Sequence, residues 1–126
     1  MPRHLERTLV RLTAVAATAA LVPSLAETLA ATITDVDRCL DDSRGARGEA
    51  RVALAERVQA IDARLTAAAV AALEGVAAGE IDEQVRLELA PHRGKMPPAA
   101  LDEAARALKA ELARKHFGLP QVRFDG

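Results

Sequence analysis

From Glu49 to Glu74 the chain has neither glycine nor proline, and its apolar residues recur at spacings of three and four. Leu54, Val58, Ile61, Leu65, Ala68 and Ala72 form the series, and Val76 continues it. This stripe is one face of a helix and is close to a strict heptad, the spacing of a coiled-coil seam. The pattern predicts a helix over 49–78. At 1.5 Å per residue such a helix is about 45 Å long, more than a compact bundle of this size needs. A rod of that length must be covered along one side, either by the rest of the chain or by another chain.

Composition decides how that cover can be built. The chain has 126 residues, enough for one domain, and half of them are hydrophobic. Much of that half is alanine. There is no Trp or Tyr, and the only aromatic residues, Phe117 and Phe124, lie in the last ten positions. A Leu/Val/Ala core buries little area per residue and stabilises only when helices approach closely, which alanine allows. The expected fold is therefore all-α: an alanine-rich helical hairpin or bundle with one long central helix, a C-terminal helix and an extended tail. A core this sparse also favours burial against a second chain. Leu54, Val58, Ile61 and Leu65 are then the candidate partner interface.

The flanking segments supply the other helices of a single domain, 1–126. Leu5, Leu9, Leu12, Ala16 and Ala19 share one helical face, and so do Val22, Leu25, Leu29, Ile33, Val36 and Leu40. Pro23 lies between the two stripes and divides 1–43 into two helices or one bent helix. Laid end to end, they would match the long helix in antiparallel fashion. Ser24 and Glu27 have the spacing of a capping box. The segment Asp41–Gly48, with two glycines and several charges, is the clearest break. Residues 80–126 are expected to form a short helix to Ala90, a loop over Pro91–Pro98, and a helix from Ala99 to a stop at Gly118. Asp82→Arg86, Asp102→Arg106 and Glu111→Lys115 have the favourable i,i+4 order. Val122 and Phe124 in the tail are candidates to dock in a groove or on another subunit.

The N-terminus also has the layout of an export signal. Arg3, Arg7 and Arg11 precede the apolar run Leu12–Val22, and Ser24-Leu25-Ala26 offers small residues for cleavage. Glu6 and the many Ala and Thr residues of the run argue against it. The cytoplasm is the expected location, with secretion as the alternative if residues 1–26 are removed. The run is too short and too weakly apolar for a transmembrane helix. Arginine far exceeds lysine and asparagine is absent, a bias expected of a GC-rich bacterial source.

No catalytic or cofactor-binding residue is expected. The formal net charge is −1, so no global field draws nucleic acid or an anionic membrane. The acidic cluster Asp35, Asp37, Asp41, Asp42 is the one place where the sequence groups enough oxygens for a cation. Asp37 and Asp41, a helical turn apart, are its candidate ligands, and a small metal-binding protein or enzyme is the alternative reading. The EF-hand pattern fails there, because Cys39 stands at a ligand position. No Glu-x-x-His pair suits a di-iron bundle, and His4, His92 and His116 are scattered. Cys39 is the single cysteine and reads as a buried thiol. A further alternative is a regulator touching nucleic acid through basic residues from Arg93 onward, although acids interleave with them and no aromatic platform is present. The leading expectation is a non-enzymatic helical protein that oligomerises or serves as a subunit or adaptor.

Overall fold

The computed structural model describes residues 3–18, 22–74 and 78–124, with the side chain of Thr18 left aside. The elements are α1 (Arg3–Thr18), α2 (Pro23–Ser43), α3 (Glu49–Leu73), α4 (Ala78–Leu89), a 3-10 turn (Ala90–His92) and α5 (Pro98–Phe117). Among the described residues there is no strand, and the fold is an all-α bundle.

Proline and glycine set the boundaries. Pro23 and Pro98 each stand at the first helical position. A missing N–H costs nothing there, and the fixed φ already suits a helix. Val22 is therefore the N-cap of α2, and the expected Ser24–Glu27 capping box does not form. Gly118 closes α5 in the left-handed conformation, φ 67°. Its N–H bonds Lys115 O at 3.1 Å and the Leu119 N–H bonds Arg114 O at 2.9 Å, so the last carbonyls are satisfied as the chain leaves the helix.

α2 and α3 are antiparallel. Arg57 pairs with Asp42 at 2.7 Å and Arg64 with Asp35 at 2.6 Å, so seven residues forward on α3 match seven backward on α2. α5 also lies antiparallel along α3, through Arg114 to Asp62 and Lys109 to Glu74. α4 folds back on α5, and Lys109 reaches Asp82 at 3.4 Å.

The end-to-end arrangement expected for the first two helices does not occur. α1 packs against α2, and its start at His4 reaches the tail at Gln121, which is anchored beside Asp62 in the middle of α3. α1 therefore turns back over the bundle. An extended α1 would run past the end of α3 and leave Leu5 and Leu12 in water, whereas here both are fully buried. Residues 19–21, Ala19 of the expected stripe among them, lie outside the described residues.

One connected core holds the helices together. In α3 it contains Leu54, Val58, Ile61, Leu65, Ala69 and Leu73, and Ala72 is buried as well. Ala69 replaces the expected Ala68, which is half-buried. A heptad falls back by about 20° per repeat on a straight helix, and α3 must face both α2 and α5, so its buried face is broader than a two-helix seam. α3 ends at Leu73, short of the expected 78; Val76 lies outside the described residues.

Candidate functional site

The most heavily bonded polar centre joins α3, α5 and the C-terminal tail. Asp62 follows Ile61 and therefore borders the core face of α3, with Thr66 one turn further on. Arg114 borders the core face of α5 next to Ala113, the one fully buried residue of that helix. The Arg114 guanidinium donates from Nη1 to Asp62 Oδ1 at 2.7 Å and to the Thr66 hydroxyl at 2.5 Å, and from Nη2 to the carbonyl of Pro120. The Thr66 hydroxyl in turn donates a hydrogen bond to the backbone carbonyl of Asp62. Asp62 Oδ1 also accepts the backbone N–H of Val122 at 2.8 Å. The side chains of Arg114 and Asp62 are only 14% and 23% exposed, so this pair is much less screened than the surface pairs of α2 and α3.

From the other side, α1 contributes His4 and Thr8. The Nε2–H tautomer of His4 donates to Gln121 O at 2.7 Å, and the Thr8 hydroxyl shares that carbonyl at 3.4 Å. Leu119, Pro120 and Val122 are buried beneath these bonds, while Gln121 and Arg123 face outward. The tail is thus an extended peptide lying in a cradle of three helices. Beside it a cleft of about 680 Å³ opens between Arg11 of α1 and Glu111 and Lys115 of α5.

A second feature lies at the far end of α5. α4 packs on α5 and the 3-10 turn, and the hairpin leaves a groove of about 360 Å³ floored by Val85, Leu89, Leu101 and Ala105. Asp82, Arg86, Arg93 and Asp102 also line it. Leu89 and Leu101 are only half-buried, so this two-helix layer has an apolar face without full cover.

The residues singled out by sequence fall elsewhere. Leu54, Val58, Ile61 and Leu65, expected to meet a partner, are buried in the chain's own core. The physical reason is that α2 and α5 both lie against α3 and take up its whole apolar face. Val122 is buried in the cradle, and Phe124 is half-buried with the Arg51 guanidinium 5.5 Å from its ring centre. Both tail residues therefore dock within this chain. Asp37 and Asp41 are exposed, while Asp35 and Asp42 turn to arginines of α3. Among the described residues no three His, Cys, Asp or Glu side chains gather as a metal-ligand set.

Cys39 is fully buried, and its burial raises the thiol pKa above the ordinary value against the opposing pull of Arg57. Lys109 bonds Glu74 at 3.0 Å, and that bond holds the ammonium pKa above its usual range. Arg86 bonds Glu83, not Asp82 as expected, and this lowers the Glu83 pKa. With Lys109 and Arg114 tied to acids, the C-terminal helix does not present the uniform basic face that a phosphate backbone calls for. Among the described residues no helix is long and apolar enough to cross a membrane.

Asp62 was not legible as a functional residue. Its only trace in the sequence is an acid and a threonine one turn apart beside a stripe of large apolar residues. Comparison with known proteins finds no family model, no curated protein and no solved structure that matches this chain.

Proposed function

We propose that this is a non-enzymatic helical interaction protein that self-associates through its α4–α5 hairpin. The observation that carries the reading is the half-covered apolar groove of that hairpin, floored by Leu89, Leu101, Val85 and Ala105. A two-helix layer buries its apolar face only against a second layer. Two hairpins related by a two-fold axis would supply that layer and make a four-helix arrangement. The charges lining the groove suit a second copy: Asp82 and Asp102 carry one sign, Arg86 and Arg93 the other. A two-fold contact sets each patch against itself, and a patch with both signs can pair acid with base across the axis.

Light scattering coupled to size exclusion tests this directly. The full chain is expected to run as a dimer that dissociates on dilution. Leu89→Glu with Leu101→Glu should give a monomer of unchanged helical content, since both positions are half-exposed in the isolated chain. A wild-type chain that stays monomeric at high concentration overturns the proposal.

A further inference from the structure

The tail is held in a way that a merely structural strap does not require. Bonds from the cradle reach backbone atoms of three successive tail residues: Pro120 O, Gln121 O and the Val122 N–H. The groups that read them come from three helices: His4 and Thr8 of α1, Asp62 of α3 and Arg114 of α5. Apolar side chains of the tail are buried beside these bonds. Pro120 and Val122 are buried and Phe124 half-buried, whereas Gln121 and Arg123 between them are exposed. This is the alternation of an extended strand with one face in a groove. Main-chain bonds that any sequence can make, with apolar positions two residues apart for selection, are the usual division of labour in extended-peptide recognition.

We infer that the cradle between α1, α3 and α5 is an extended-peptide acceptor site, with the chain's own tail as its resident ligand. The partner it fits is an extended segment with proline and a β-branched residue two apart, as in Leu-Pro-x-Val. Such a segment binds in trans when the tail swings away at Gly118. Gly118, at φ 67° just before the tail, is free of the β-carbon that would restrict its change to another backbone conformation. The tail then acts as an autoinhibitor, competing at the millimolar-range effective concentration typical of a short tether.

A full-length chain carrying Val122→Asp keeps the cradle and disables the tail. The probe is a fluorescein-labelled peptide of the wild-type sequence 118–124, followed by anisotropy. The variant is expected to bind the peptide at least about tenfold more tightly than the wild type does, as release from the tethered competitor requires. Adding Asp62→Ala should abolish that binding. Equal affinity in variant and wild type, or binding indifferent to Asp62, overturns the inference, as does no binding by a Val122→Asp chain of native helicity. If that variant does not fold, the wild type answers through amide exchange. Saturating unlabelled peptide should then leave the protection of the Val122 amide unchanged if the tail cannot be displaced, and lower it if it can.

Discussion

At the residue scale the molecule depends on a few polar side chains placed at the edges of apolar faces. Asp62 accepts from Arg114 and from the Val122 N–H, so Asp62→Ala leaves a largely buried guanidinium and an amide short of an acceptor. Urea denaturation is expected to show a loss of about 2–3 kcal/mol. Arg114→Lys should recover little of the native bonding, because an ammonium cannot span Asp62, Thr66 and Pro120 as the planar fork does. Cys39 gives a pH prediction. Its folded pKa is raised, so above the ordinary thiol pKa the unfolded chain has lost a proton that the folded chain keeps. Stability contributed at this site is therefore full below the ordinary thiol pKa and is lost as pH rises from there through the raised folded pKa. Alkylation at pH 8 should be slow in the native protein and fast in urea, and rapid native labelling would contradict the burial of the thiol. Thr8 and Thr32 show what sequence patterns conceal. Both are buried, because Thr32 returns its hydroxyl proton to Thr28 O and Thr8 gives its own to Gln121 O, leaving the methyl groups to the core. A stripe drawn through apolar letters alone passes over both.

At the scale of elements, α3 organises the bundle. Leu65 is fully buried on the core face of α3, and Leu65→Ala is expected to cost about 2–5 kcal/mol in equilibrium unfolding. Leu87 is 58% exposed on α4, and Leu87→Ala should stay within about 0.5 kcal/mol. Gly118→Ala forces a β-carbon into the left-handed region and should cost about 1 kcal/mol, read in the same assay. The helices themselves were legible. Long runs without glycine or proline, bounded by Pro23, Gly48, Pro98 and Gly118, define elements by local chemistry alone. What stayed hidden was pairing. An apolar stripe records that a helix face is covered, but not by which neighbour, so the Leu54–Leu65 seam gave equal reason to expect a second chain. The cradle was less legible still, because it joins backbone atoms of the tail to side chains as far as 117 residues away in sequence.

At the scale of the whole molecule, α1, α2, α3 and α5 share one core with the tail, while α4 adds Ile81 and Val85 at its margin. Unfolding of the helices that share this core is expected to be a single transition by helical circular dichroism, with the Val122 amide exchanging at a lower free energy because the tail opens by itself. Exchange of that amide only on global unfolding would mean that the tail does not detach as a unit of its own.

The tail follows His4 and Thr8 by 117 and 113 residues, yet it bonds to both. α1 therefore waits through the synthesis of α2 to α5 for the strand that completes its cover. Once α5 has formed, and until the tail follows it, the nascent chain shows an empty slot shaped for an extended apolar segment. A pause in translation just after α5 prolongs that interval and the exposure of the newborn chain to its neighbours.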